Sequence, residues 1–145
     1  MKVYKFGGAS VKDAAGVSNL YEIVSSLNDR PLVVVVSAMG KTTNALEKVL
    51  HLAKDAKMQE TYQALELVFE MHRRICYGLF RQNHAIFERL AAIEAEMKFV
   101  VEQIPGLPYN QAYDSLVGYG ELISTYIVSA YFQEKGLKHQ WLDAR

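Results

Sequence analysis

Leu32-Val33-Val34-Val35-Val36 is an unbroken apolar run of five residues, four of them valine. Valine is stiff at χ1 and suits a pleated strand better than a helix. The run does not alternate between apolar and polar residues, which predicts a strand buried on both faces, as in a parallel sheet covered by helices. A second strand is predicted at Lys2-Val3-Tyr4-Lys5-Phe6, stopped by Gly7-Gly8. Between the two, Val17, Leu20, Tyr21, Val24 and Leu27 recur at helical spacing, which predicts a helix from about Lys12 to Asn28. Asn28-Asp29-Arg30-Pro31 supplies turn chemistry after it. A strand–helix–strand order implies a parallel crossover and an α/β fold.

The rest reads as helical until the end. Stripes of apolar residues predict helices over about 42–54, 58–80, 84–103 and 111–135. Ile104-Pro105-Gly106-Leu107-Pro108 is a stop, and Gly118 and Gly120 break or kink the last helical region near its start. Gly136 is a C-cap candidate, and Lys138 to Leu142 reads as a third strand. Three strands are few for five helices, so the segment is expected to stop inside a larger domain.

Composition narrows the function classes. Lysine plus arginine (16) balances aspartate plus glutamate (16), so the footprint of a general nucleic-acid binder is missing. No run reaches the length of a membrane-spanning helix, and no secretion signal is evident. A single cysteine, Cys76, and four scattered histidines, His51, His72, His84 and His139, offer no metal-ligand spacing. The expected setting is cytoplasmic, with neither a nucleic-acid nor a membrane partner. Cys76 and the Tyr126/Tyr131 and Met71/Met97 positions read as core. Arg73-Arg74 and Glu94-Glu96 read as solvated faces.

Three places carry chemistry. In Lys5-Phe6-Gly7-Gly8-Ala9-Ser10-Val11 a strand ends, two glycines turn the chain and a helix begins. Glycines let backbone amides approach an anion, and a lysine at a strand's C-terminal end can neutralise charge on a transferring phosphoryl group. The same residues also suit a plain turn with a surface lysine. In Ser37-Ala38-Met39-Gly40-Lys41-Thr42-Thr43-Asn44 the Gly-Lys-Thr string lacks the first glycine of a P-loop, because Val35 stands there. It reads instead as a short polar loop offering the Ser37, Thr42 and Thr43 hydroxyls and a helix N-terminus to an anion, or as helix capping by Thr42 or Thr43 with Glu47 nearby. In Gly118-Tyr119-Gly120-Glu121 the glycines suggest close backbone approach. Glu121 suits an ammonium group or a metal–phosphate cluster, or is simply a first-turn glutamate.

Taken together, these segments resemble the amino acid kinase family, and within it the aspartate kinases. Lys5 to Val11 is similar to the opening K-F-G-G-[TA]-S-V. Val34 to Met39 with Thr43-Asn44 resembles V-V-x-S-A-x-x-x-x-T-N. Gly120-Glu121-Leu122-Ile123-Ser124 resembles G-E-x-x-S, and Trp141 to Arg145 the strand that follows. The resemblance implies a three-layer α/β/α fold with a mostly parallel sheet, incomplete here. Residues 1–145 would be the N-terminal part of the catalytic domain, without the half that holds the nucleotide base and without regulatory ACT domains. It implies transfer of the ATP γ-phosphoryl group, with Mg2+, to the side-chain carboxylate of L-aspartate, the entry step to lysine, threonine and methionine synthesis, and a homo-oligomer at full length. By position, Lys5 would be catalytic, Lys5, Gly7, Gly8 and Ser10 would bind the nucleotide phosphates, and Ser37, Thr43 and Glu121 would hold L-aspartate, Glu121 at its ammonium. Ala9 replaces the family's commoner threonine, Gly118 stands where many members have serine, and Lys41 adds a charge beside the acceptor loop. Two other readings stand beside this one: a different amino acid kinase, and a non-catalytic helical interaction module built on the block from 58 to 103.

Overall fold

The computed structural model describes residues 1–28 and 31–144. The elements in chain order are β1 (Lys2–Phe6), a 3-10 turn (Gly8–Val11), α1 (Ala14–Ser26), β2 (Leu32–Val36), α2 (Thr42–Lys54), α3 (Met58–Tyr77), α4 (Ile86–Gln103), a 3-10 turn (Ile104–Gly106), α5 (Tyr109–Leu116) and α6 (Tyr119–Glu134). β1 and β2 pair in parallel, with Lys5 beside Val35 and Phe6 beside Val36. The crossover expected from the sequence is therefore present. Asp29 and Arg30 of the expected turn, and Arg145, lie outside the described residues.

Two expectations about the sheet need correction. Lys138 to Leu142 is not a strand. The Leu137 amide donates to the Phe132 carbonyl, and the Trp141 ring stacks on Tyr126 at 4.5 Å, so this tail is held by α6 rather than by the sheet. Nor is β2 buried on both faces. Residues of paired parallel strands that lie side by side point to one face, and Val3, Val33 and Val35 are 61%, 39% and 44% exposed. The opposite face, with Phe6, Val34 and Val36, packs on the core. The valine run has the composition of a doubly covered strand, and only one layer of helices covers it.

The helix boundaries follow local chemistry. α1 starts at Ala14 rather than Lys12 because the Asp13 carboxylate caps it, accepting from the Gly16 amide at 2.8 Å. α3 ends at Tyr77, not at residue 80: a Cβ on Gly78 would sit 2.7 Å from the Ala14 Cβ, so glycine lets the helix end against α1. α4 starts at Ile86, whose amide donates to His84 Nδ1 at 3.0 Å. The last helical region is two helices, separated at Val117-Gly118. Gly136, at φ +73°, follows the end of α6 in the left-handed conformation expected of a C-cap.

The core lies among the helices. Leu46 and Leu50 of α2, Leu65 and Phe69 of α3, Met97 of α4 and Ile123 of α6 are all fully buried. Cys76 belongs to this core, and burial pushes its thiol up to about 12. Arg73 and Glu94 are not a solvated face: they pair at 2.8 Å between α3 and α4, and Arg73 also pairs with Glu66. Glu94 accepts a further bond from Lys98 at 2.6 Å. Both bonds favour its charged form over the cost of desolvation, and hold its carboxyl below the ordinary range.

His72 is the exception in this core. It is fully buried, its Nδ1 bonds the Val68 carbonyl at 2.7 Å, and its Nε2 has no hydrogen-bond partner among the described residues. Desolvation lowers its pKa from 6.5 to about 4. The folded state keeps this ring neutral while the unfolded chain takes up a proton below pH 6.5, so stability is lost as pH falls from 6.5 towards 4. One pKa unit corresponds to about 1.4 kcal/mol, so the loss reaches about 3 kcal/mol. Urea unfolding at pH 7 and pH 4.5 is expected to show this loss in the wild type and a clearly smaller one in His72→Leu. Equal losses in the two proteins would contradict the assignment.

Candidate functional site

The site is built where β1 and β2 end. Parallel pairing brings their C-terminal ends level, and the Ser37 amide continues the ladder by donating to the Phe6 carbonyl at 3.0 Å. From there both chains turn into glycine-bearing loops that touch. The Gly40 amide donates to the Gly8 carbonyl at 3.0 Å. A Cβ on Gly8 would lie 2.6 Å from the Ala38 carbonyl oxygen and 3.0 Å from that of Gly40. Gly40 itself has φ +56°, a conformation that suits glycine. The two loops singled out in the sequence are thus one structural unit, and Gly8 is small because the second loop lies against it.

The third segment joins at the start of α6. A Cβ on Gly120 would lie 3.0 Å from the Ala38 Cβ and 3.3 Å from Thr42 Cγ2. One turn further on, the buried Ser124 hydroxyl donates to the Ser37 carbonyl at 2.8 Å. The sequence motif contains Ser124 without indicating a role for it; in the structure it ties α6 to the loop that begins at Ser37. Ser124→Ala is expected to cost about 1–2 kcal/mol, because it removes a buried bond and leaves a carbonyl without that donor. Urea unfolding measures this, and a change below 0.5 kcal/mol (about the scatter of neutral surface changes) would contradict it.

The individual side chains fall out as follows. Lys5 is exposed on the uncovered sheet face with Val3, Val33 and Val35, and its side chain makes no hydrogen bond or ion pair among the described residues. Gly7 and Ser10 are exposed at the turn, where the Ser10 amide donates to the Gly7 carbonyl at 2.9 Å. Ser37 and Thr43 are half-buried, and Glu121 is exposed in the first turn of α6. Thr42 has to be withdrawn from the anion-facing hydroxyls. It is buried, and its hydroxyl donates to the Met39 carbonyl at 2.6 Å. The capping reading of this helix start is not met either: Lys41 is the N-cap residue and no side chain caps the helix.

A further pair stands beside Thr43. Glu47 is one turn along the same face of α2 and accepts from the Tyr113 hydroxyl at 3.0 Å. The Tyr113 pKa is raised, first by that bond, then by desolvation and by the negative charges of Glu47 and, more weakly, Tyr109 and Glu121. Glu47 and Glu121 therefore place negative charge around the Tyr113 hydroxyl, beside Thr43. The Thr43–Glu47 spacing was the only sequence signal for this pair.

Mg2+ was expected with the nucleotide. Among the described residues no group of three His, Cys, Asp or Glu side chains comes together as metal ligands, and Asp13, the acid nearest the turn in sequence, is engaged in capping α1. A magnesium ion carried on ATP is held largely by phosphate oxygens and water and needs no such protein cluster. Among the described residues, no helix is long and apolar enough to cross a membrane.

Comparisons with known proteins agree with this fold. The sequence profile of the amino acid kinase family matches residues 1–145. Aspartokinase 2, chloroplastic, of Arabidopsis thaliana is 33% identical over 144 residues, covering 98% of this chain and 26% of the plant protein. The bifunctional aspartokinase/homoserine dehydrogenase 2 of Escherichia coli is 26% identical over 99% of this chain and 18% of its own. The crystal structure of E. coli aspartokinase III in complex with lysine and aspartate superimposes with a TM-score of 0.85 at 28% identity, covering 100% of this chain and 32% of that one. The same enzyme with aspartate and ADP gives 0.84. The chain spans about a quarter of the length of the plant relative. With the matching profile over its whole length and the two glycine loops joined at the end of a parallel strand pair, the chain belongs to the amino acid kinase family.

Proposed function

We propose that this chain supplies the phosphate loop and the acceptor loop of an aspartate kinase, which moves the γ-phosphoryl group of ATP to the side-chain carboxylate of L-aspartate. The observation that carries this reading is the contact between Gly8 and the Ala38–Gly40 segment, which sets a phosphate-type turn and a hydroxyl-bearing loop side by side. In the reaction a carboxylate oxygen attacks the γ-phosphorus, the bond to the bridging oxygen breaks, and ADP leaves with its electron pair. Two anions must be brought together, so fixed positive charge and amide dipoles are the main protein contribution. In this assignment Lys5 neutralises the transferring group. Gly7, Gly8 and Ser10 offer amides and a hydroxyl to the phosphates, Ser37 and Thr43 orient the acceptor, and Glu121 takes its ammonium.

The uncovered faces of β1 and β2 support a second assignment: residues 1–145 are the N-terminal part of the catalytic domain, and the nucleotide-base half lies in a different segment. A catalytic domain that includes this segment is expected to release ADP only when Mg-ATP and L-aspartate are both present, and the 145 residues alone are expected to release none. Aspartate-dependent turnover by the isolated chain, or turnover in the domain indifferent to aspartate, would contradict the reading.

A further inference from the structure

On the flank of α2 turned away from Thr43 and Glu47, a groove of about 370 Å³ runs between α2 and α3. Its apolar wall includes Ala45, Leu67 and Met71, and Leu67 is left 62% exposed. Its charged lining among the described residues consists of Lys12, Lys41 and Lys48, with no carboxylate. None of these three lysine side chains has a hydrogen-bond or ion-pair partner among the described residues, although they stand on two segments of the chain brought together by the fold. Helical spacing keeps the groove separate from the acceptor site. Residues 41, 45 and 48 share one side of α2 and residues 43 and 47 lie on the other.

The charge here works against the helix. The N-terminus of α2 carries positive partial charge, its N-cap residue is Lys41, and no acid stands in its first turn. A cation at that end is repelled by the helix dipole, and Lys12 adds another beside it. Local rules of this kind are broken most often at functional or strained sites. Volume and lining suit a small molecule: sites for such ligands occupy roughly 300–1,000 Å³ and are mostly apolar with a few placed polar groups.

We propose that this groove binds a small amphiphilic anion, with a carboxylate or phosphate-ester head among Lys12, Lys41 and Lys48 and an apolar body along Leu67 and Met71. The head would rest against Lys41 and Gly40, and the Gly40 amide holds the Gly8 carbonyl.

The test is an amide-resolved NMR titration of the 145-residue chain with octanoate and with hexyl phosphate, using octan-1-ol and inorganic phosphate as half-ligands. The expected result is saturable shifts at Ala45, Lys48, Leu67 and Met71 with at least one amphiphile, and much weaker binding of both half-ligands. The tighter of the two amphiphiles identifies the head group. Replacing the three exposed lysines (Lys12→Gln, Lys41→Gln, Lys48→Gln) is expected to weaken binding at least about tenfold, the scale of hydrogen bonds to charged groups. Leu67→Asp, at an exposed position, is expected to abolish it, and Lys5→Ala to leave it unchanged. The proposal is overturned by the absence of saturable shifts, by octan-1-ol binding as well as the anions, or by indifference to the lysine and Leu67 replacements. Loss of binding in Lys5→Ala would also overturn it, by placing the anion in the phosphate loop.

Discussion

Lys5→Ala, made in a catalytic domain that includes this segment, is expected to lower kcat about 10²–10³-fold, the scale seen when one fixed transition-state stabiliser is removed. Lys5 projects from an exposed strand position and has no partner among the described residues, so its loss removes no packing. Thermal and urea stability are therefore expected to stay within about 0.5 kcal/mol of the wild type. The KM for L-aspartate is expected to change little, because the lysine acts on charge that develops during transfer and not on the resting acceptor. Steady-state kinetics with ADP release as the readout separates the two constants. A rise in KM with kcat unchanged would place Lys5 at the acceptor instead.

Gly8→Ala is expected to damage both stability and activity, and Gly7→Ala activity alone. A Cβ on Gly8 meets two backbone carbonyl oxygens, at 2.6 and 3.0 Å, and neither can rotate away as a side chain could. The loops must separate, at a cost of about 1–3 kcal/mol, the scale of overpacking. The Gly40–Gly8 hydrogen bond then stretches and the two halves of the site part. At Gly7 nothing lies within 4 Å of a Cβ, and φ is −74°, a value any residue adopts. Alanine there leaves the fold intact and obstructs only an incoming phosphate. Urea unfolding and kinetics on both variants check the contrast. Equal destabilisation by the two would contradict the geometry, and full activity in Gly7→Ala would remove Gly7 from the phosphate site.

The order of elements was legible in the sequence because periodicity reports the buried faces directly. The 42–54 stripe matches α2 at both ends, and the parallel pairing followed from the strand–helix–strand order. Other features depended on contacts no local pattern encodes. The exposed side of β2 reflects which layers are present, not the valines themselves. The tail after Gly136 has strand-like residues, yet Trp141 finds Tyr126 before any strand edge. Arg73 and Glu94 look solvated one at a time and become a partly buried pair only once α3 lies on α4.

The candidate site divides the same way. Its motifs sit where strands end and helices begin, and turn chemistry makes such places visible. The Gly8 contact with the second loop, the Ser124 tie to Ser37 and the Tyr113–Glu47 bond join segments far apart in sequence. Thr42 shows the reverse error: it looks like a site hydroxyl by position, but the fold turns it inward onto the Met39 carbonyl.

The central claim is that the Lys5–Ser10 turn and the Ser37–Thr43 loop serve one phosphoryl transfer. A crystal structure of a catalytic domain that includes this segment, with L-aspartate and a non-hydrolysable ATP analogue bound, tests it most directly. The account predicts the terminal phosphate within about 3 Å of Lys5 Nζ and the Gly8 amide, with the acceptor carboxylate between it and Ser37 and the acceptor ammonium at Glu121. A triphosphate bound away from Lys5 and Gly8, or an aspartate that touches neither Thr43 nor Glu121, would contradict it.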